Sequence, residues 1–242
     1  MRLDQALVER RLVESRTEAQ ECVTKGWVEV NGQVATKNNK TTTEFDIITV
    51  TRRRNYVSRG GEKLEGIYTD IYNDDTTIRA HVFGKHALDI GSSTGGFTDY
   101  LLQKGTSHVD AVDVGSAQLH VSLLNDSRVA LFENTDIREF NNKRTYDIIV
   151  ADLSFISFQG IFEILPKFAH LETECFILIK PQFEVGKGNT KKGIVKDDDL
   201  VHEVLNKMNE TCTNVGGNNI QVFPCRIQGG DGNQEYFLYF RF

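Results

Sequence analysis

The stretch Ala87-Leu-Asp-Ile-Gly-Ser-Ser-Thr-Gly-Gly-Phe-Thr-Asp99 decides how the rest of the chain reads. An apolar run closes at Asp89, a glycine-rich turn follows, and Phe97 to Leu102 carries helical spacing. That is the strand, tight turn and helix start at which doubly wound sheets bind nucleotides. Gly91, Gly95 and Gly96 form G-x-x-x-G-G, which differs from the G-x-G-x-x-G of dinucleotide enzymes. Asp89 precedes the first glycine, where a pyrophosphate would be repelled. A nucleoside cofactor with a cationic, zwitterionic end fits that carboxylate better.

Outward from this stretch, strand and helix patterns alternate. His108–Asp113, Arg128–Glu133, Tyr146–Asp152 and Cys175–Lys180 read as strands, and Ala117–Asn125, Phe158–His170 (broken near Pro166) and Asp197–Thr211 as helices. Ile220–Phe223 and Tyr236–Phe242 flank a glycine-rich loop and read as an antiparallel edge hairpin. Such alternation predicts an α/β domain with a mostly parallel, seven-stranded sheet covered on both faces.

Three acids fall at or just past strand ends, where ligands bind in such sheets: Asp89, Asp113 and Asp136. Asp113 lies 24 residues after Asp89, close to the offset at which an acid meets ribose hydroxyls. Asp136 would then accept from an adenine amino group. S-adenosylmethionine satisfies all three, and Asp89, Gly91, Ser92, Ser93, Thr94, Gly95, Gly96, Phe97, Thr98, Asp113, Val114, Asp136, Ile137 and Asp152 are the expected cofactor residues.

Composition narrows the class. The 242 residues are 39% hydrophobic and 26% charged, ordinary for a globular protein. No apolar run reaches the length of a membrane span and no apolar leader follows Met1, so neither a transmembrane helix nor a secretory signal is expected, and a cytoplasmic location fits. Cys22, Cys175, Cys212 and Cys225 show no C-x-x-C spacing, so no disulfide frame or metal site is expected. Net charge is −6, yet residues 1–57 carry ten Lys and Arg against eight Asp and Glu, ending in Arg52-Arg53-Arg54. A basic front on an acidic body points to delivery of a polyanion to a site elsewhere.

The front segment reads as two short helices up to Gly26, with Ser15-Arg-Thr-Glu18 as a capping box. A hairpin follows at Asn31-Gly32, and Ile47–Val50 closes the module as a strand. Arg2-Leu-Asp, Ser15-Arg16 and Gly26-x-Val-x-Val-Asn-Gly32 resemble the small α+β RNA-binding domain of the ribosomal-protein S-four type. That resemblance implies a domain over residues 1–53; Arg54–Val57 reads as a short linker, and Ser58 opens a second domain over 58–242. It also makes Arg2, Arg11, Arg16 and Lys25, with Arg59 at the head of the second domain, the phosphate contacts.

Lys63, Asp152, Lys180 and Glu235 are the remaining candidates for chemistry. Gly60-Gly61 reads as a turn aiming Lys63, while Asp152 and Lys180 end strands and Glu235 begins the last one. A lysine ending an apolar strand is costly to keep charged, and a second ammonium nearby favours the neutral amine that a general base requires. Lys180 is accordingly the expected base for a ribose hydroxyl and Lys63 its positioning partner. Asp152 and Glu235 orient the two lysines, and Asp152 also meets the cofactor's ammonium.

These four residues, with the opening stretch, resemble the FtsJ-type ribose 2′-O-methyltransferases. Ser-Arg-Gly-Gly-Glu-Lys-Leu64, Asp-Val-Gly-x-x-Gln-Leu119, Lys-Pro-Gln-Phe-Glu184 and Gly-Asn-x-Glu235 extend the resemblance to the TlyA family across almost the whole chain. It implies a Rossmann-like class I methyltransferase that 2′-O-methylates cytidine in ribosomal RNA. The shorter of the family's two length classes, which the chain resembles, is associated with large-subunit RNA. The chain departs from the family at Ser116, often Tyr, and at Asp136, often Asn. Some members carry the haemolysin name, but membrane action would call for a spanning helix or a long amphipathic surface, and the sequence has neither. The four filled positions also argue against a non-catalytic RNA-binding factor. Oligomeric state, monomer or weak homodimer, is open at this point. The basic segment Gly186–Gly193 is expected to be a flexible loop that orders on RNA.

Overall fold

A computed structural model describes residues 1–51, 55–153, 159–186 and 188–242. The arginine run 52–54, residues 154–158 after Asp152, and Lys187 lie outside the described residues. The chain divides between Asn55 and Tyr56 into two units. Tyr56 and Val57, read from sequence as linker, therefore belong to the second unit, where Tyr56 is buried in the core.

In the first unit, α1 (Leu3–Glu9) and α2 (Arg16–Thr24) pack on an antiparallel sheet of β1 (Val28–Val30), β2 (Gln33–Val34) and β3 (Ile48–Val50), with β1 central. The Ser15 hydroxyl accepts from the Glu18 amide at 3.2 Å and so caps α2. The Glu18 carboxylate reaches back to the Glu14 amide at 2.8 Å, one residue before the position a capping box uses. Asn31 and Gly32 both have positive φ, +54° and +77°, as a two-residue type I′ hairpin requires.

The second unit opens with α3 (Arg59–Tyr72) and α4 (Asp75–Val82). Then follow β4 (His86–Ile90), α5 (Gly96–Lys104), β5 (His108–Val112), α6 (Val121–Leu124), β6 (Val129–Phe132) and β7 (Tyr146–Ala151). The chain continues through α7 (Gln159–Phe162), β8 (Ala169–Ile179), α8 (Pro181–Glu184), α9 (Asp198–Asn214), β9 (Asn218–Pro224) and β10 (Tyr236–Arg241). The seven strands lie in the order β6-β5-β4-β7-β8-β10-β9, with β10 antiparallel to both neighbours and the rest parallel. Chain direction across the sheet reverses at β4, and that switch point opens the crevice in which such folds bind ligands. Both faces are covered. Phe176 and Leu178 of β8 join one core with Tyr68, Tyr100 and Phe237, while Cys175, Ile177 and Ile179 join the other with Phe162, Met208 and Phe240.

Four local expectations need correction. Gly60-Gly61 is the first turn of α3 and no separate turn. Gly61 clears space for Tyr56, whose ring a Cβ there would meet at 2.3 Å, and Gly96 of α5 lets that helix meet α3, since a Cβ on it would lie 2.8 Å from the Gly61 nitrogen and 3.0 Å from the Gly60 Cα. The helix expected over 117–125 shortens to Val121–Leu124, since Ala117 adopts φ +53° and the preceding residues wrap a cavity. The helix expected up to His170 stops at Phe162, and Pro166 sits in a short 3-10 turn. The fifth strand of the parallel pattern then starts at Ala169, six residues before Cys175. Finally, α4 carries its own cap, with the Asp74 carboxylate accepting from the Thr77 amide at 3.0 Å, a signal the sequence reading passed over.

Candidate active site

The carboxyl ends of β4, β5 and β7 enclose a cavity of about 400 Å³, within the size range of small-molecule sites. Of the expected cofactor residues, Gly91, Ser93, Asp113, Val114, Asp136, Ile137 and Asp152 line it. Gly91 has φ +77°, and a Cβ there would stand 2.7 Å from the Asp152 carbonyl oxygen. Only glycine lets the end of β4 approach the end of β7 this closely.

Asp113 accepts from the Ser93 amide at 2.7 Å through Oδ2 and from the Gly115 amide at 2.7 Å through Oδ1. Its carboxylate is thereby fixed at the cavity wall, with lone pairs left for hydroxyl donors. Gln118, Thr135, Arg138 and Leu153 also line the cavity and were not anticipated. Gln118 had a usable signal, the Gln-Leu119 motif, and its Oε1 accepts from the Ser93 hydroxyl at 3.1 Å.

Asp136 differs from expectation. The Arg138 guanidinium grips its carboxylate through Nε at 2.9 Å and through Nη2, and the pair holds the Asp136 carboxyl below its ordinary range. An adenine amino group would share an acceptor that is already engaged, and the i to i+2 arginine is the cause. Arg138→Ala is expected to free that acceptor and to raise the affinity for adenosine-containing ligands several-fold. Calorimetric titration with S-adenosylhomocysteine measures it, and a loss of affinity would mean that the guanidinium itself serves the site.

The other expected cofactor residues stand behind the cavity wall. Asp89 is buried, and its Oδ2 accepts from the Thr98 amide at 3.1 Å and the Thr98 hydroxyl at 2.6 Å. Its Oδ1 and the Ser92 hydroxyl are buried and have no hydrogen-bond partner among the described residues. Orphaned acceptors at a glycine-lined strand end fit a ligand that brings donors and positive charge, as S-adenosylmethionine does. The Thr94 carbonyl accepts from the His120 amide. Gly95 and Gly96 are packing glycines: a Cβ would strike Leu123 at 2.3 Å in one case and Ser58 Oγ at 2.2 Å in the other. Phe97 is buried in the core against Phe237.

Burial pushes the Asp89 carboxyl up to about 7, although the Thr98 hydrogen bonds pull the other way. The folded state thus keeps a proton that the unfolded chain loses near pH 4. Without cofactor, this residue makes native stability fall as pH rises from about 4 through about 7 and then level off. Asp89→Asn is expected to remove that component. Urea midpoints of the two proteins, compared between about pH 5 and about pH 8, give the difference. A gap between them that does not change with pH would contradict the burial argument.

Beside the cavity stand two lysine–carboxylate pairs. Lys63 Nζ lies 2.5 Å from Glu235 Oε2, both nearly inaccessible to solvent, and Lys180 Nζ lies 2.5 Å from Asp152 Oδ1. Lys63 comes from the first turns of α3, Asp152 and Lys180 directly follow β7 and β8, and Glu235 directly precedes β10. Antiparallel pairing of Tyr236 with Ile179 sets Glu235 next to Lys180 across the ladder. Lys63, Glu235 and Asp152 all act on the buried Cys225 thiol, which burial pushes up to about 12. Residues separated by up to 172 positions therefore meet at one sheet end.

In the first unit, Arg2 and Arg16 converge on the buried Asp4, each at 3.0 Å, and hold its carboxyl well below the usual range. Their guanidinium groups are anchored on one side and exposed on the other. Lys25 pairs with Glu21 at 2.8 Å and lies over the Trp27 ring, and Arg11 is exposed. Arg59, in the second unit, donates to the Gln228 carbonyl.

A mostly parallel sheet with its cavity at the β4 switch point, strand-end acids, a buried Lys63–Glu235 pair and a half-buried Lys180–Asp152 pair define the class: a Rossmann-like methyltransferase. Comparison with known proteins agrees. Residues 56–242 match the FtsJ-like methyltransferase model and residues 1–48 the S4 domain. Hemolysin A of Brachyspira hyodysenteriae is 38% identical, with 99% of each chain covered. The 16S/23S rRNA (cytidine-2′-O)-methyltransferase TlyA of Mycobacterium tuberculosis is 37% identical over 99% of this chain and 89% of its own. A solved Streptococcus thermophilus structure whose name refers to a hemolysin superposes with TM-score 0.75 at 31% identity, covering all of this chain and 88% of its own. The chain belongs to the FtsJ-like methyltransferase family and, along nearly its whole length, to the TlyA family within it.

Proposed function

We propose that the protein transfers a methyl group from S-adenosylmethionine to the ribose 2′-oxygen of a cytidine in ribosomal RNA, acting in the cytoplasm, with large-subunit RNA as the first substrate to assay. The pairing of Lys63 with Glu235 and of Lys180 with Asp152 beside the cavity carries this reading. When bound, the cofactor supplies an electrophilic methyl on its sulfonium. Lys180, positioned by Asp152, acts as the base in its deprotonated amine form and takes the proton of the 2′-hydroxyl as its oxygen attacks. Lys63, held by Glu235, fixes the hydroxyl and offsets phosphate charge. Asp113 takes the cofactor ribose, and Asp136 with Ile137 and Val114 takes its base. In-line positioning supplies the remaining acceleration.

In this reading the S4 domain delivers the RNA through Arg2, Arg11, Arg16 and Lys25, with Arg59 at the head of the second unit. Deleting residues 1–55 is expected to weaken rRNA affinity and flatten its salt dependence while cofactor affinity stays the same. Calorimetry with cofactor and filter binding with rRNA test the two halves separately. Mass mapping of 2′-O-methyl sites in rRNA from cells with and without the protein tests the whole reading, and one site is expected to disappear. An unchanged map, together with dye leakage from liposomes, would overturn it, although no helix among the described residues is long and apolar enough to cross a membrane.

A further inference from the structure

The basic segment that the sequence suggests is a flexible loop is, over its described end, a tight hairpin. The Lys191 amide donates to the Ile194 carbonyl at 2.9 Å and the Ile194 amide to the Lys191 carbonyl at 3.1 Å. Lys192 and Gly193 between them have φ +53° and +81°, as a type I′ turn requires. Both lysines are exposed, and among the described residues neither ammonium is bridged to a carboxylate.

One buried side chain holds this hairpin. Asn233, 3% exposed, accepts from the Val195 amide through Oδ1 at 3.0 Å and donates from Nδ2 to the Gly193 carbonyl at 2.9 Å. Both contacts fall on backbone, so Asn233 sets where the hairpin lies whatever side chains it carries. Two residues further along the chain is Glu235, the partner of Lys63. A single amide therefore ties two exposed ammonium groups to the loop that supplies one member of the catalytic quartet.

We propose that the hairpin Lys191–Ile194 is a phosphate-binding edge of the active site. Lys191 and Lys192 take backbone phosphates of the RNA strand flanking the target ribose, and Asn233 is the positioning residue that fixes them relative to Lys63 and Glu235. Lysine ammonium groups serve as point-charge phosphate contacts that carry no sequence information, and a pre-set turn spares the cost of ordering them on binding. The proposal rests on the reading of the substrate as RNA.

The test compares the full chain with K191A/K192A, K191R/K192R and N233A, using an rRNA fragment at several salt concentrations and S-adenosylhomocysteine as the cofactor probe. For the double alanine variant the slope of log affinity against log salt is expected to shrink by about 1.5, the loss of two phosphate contacts. The arginine variant should restore the slope, and all variants should bind the cofactor probe as the parent does. N233A is expected to raise KM for RNA about tenfold, the factor that 1.4 kcal/mol of lost positioning represents, and to speed hydrogen exchange at the Val195 amide. An unchanged slope in K191A/K192A while methyl transfer continues would overturn the hairpin and leave the enzymatic reading standing. A reduced slope in a protein that transfers no methyl would do the reverse. A reduced slope with N233A indistinguishable from the parent would remove Asn233 from the scheme, and if N233A fails to fold, the lysine variants, exposed and outside the core, decide.

Discussion

Lys180→Ala is expected to lower the single-turnover rate of methyl transfer by about 10²–10⁴-fold, the range that general-base catalysis supplies. Affinities for cofactor and rRNA should change little by comparison. Lys180 Nζ sits against Asp152 at the end of β8, beside the cavity and next to Glu235 across the β8–β10 ladder. Truncation removes the proton acceptor and leaves the Asp152 carboxylate without its partner, but touches neither the glycine-lined crevice nor the first unit. Lys180→Arg keeps the charge yet cannot give up its proton, and it should be as slow as alanine. Quench-flow methyl transfer beside calorimetric cofactor binding separates the outcomes. Arginine that rescued the rate would assign Lys180 a purely electrostatic part and move the base elsewhere.

The second large effect concerns stability. Gly96→Val is expected to destabilise the second unit by about 3 kcal/mol, the upper end of what overpacking costs. A Cβ at Gly96 would meet Ser58 Oγ at 2.2 Å, and the next contacts are backbone, which cannot swing aside. Since domains are stable by only about 5–15 kcal/mol, the melting temperature should drop by several degrees. Gly66→Ala, inside the same helix α3, is the control. Its nearest neighbours are the Arg226 Cδ and Cγ at 3.4 and 3.5 Å, the flexible stem of an exposed side chain. Relief of glycine's helix penalty should win there and raise stability by up to about 1 kcal/mol. Both variants melting alike would mean that the contact between α3 and α5 is looser than the backbone geometry indicates.

Much of this architecture was legible from local pattern. The run from Ala87 to Asp99, the cap at Ser15 and the Asn31-Gly32 turn each involve residues a few positions apart, so spacing alone carries the physical information. Alternating apolar strands and helices likewise announced a sheet buried on both faces, because parallel strands without polar alternation have no other stable setting. Strand-end position and the cost of a charged lysine there singled out the four catalytic candidates one by one, and family resemblance grouped them, as no local rule links Lys63 to Glu235.

Where local reading failed, a distant neighbour had intervened. Gly60 and Gly61 looked like a turn because the α5 glycine they pack against lies 35 positions further on. At Gly95 and Gly96 the spacing did not show that each clears space for a packed side chain, because Leu123 and Ser58 lie far off in the chain. Asp136 looked like a free acceptor until the fold of the turn closed Arg138 over it.

By itself, then, the order of residues determined most of the strands and helices and the two-part organisation, because hydrogen bonding and apolar periodicity act over a turn or two, while the family was carried by the resemblance of its motifs. The tertiary structure alone decided that two ion pairs stand together beside the cavity, that Asp89 is deprived of solvent, and that Asn233 reaches 40 residues back to pin a basic hairpin. Those features depend on electrostatic and hydrogen-bond partners that approach only once the sheet has closed and water has left.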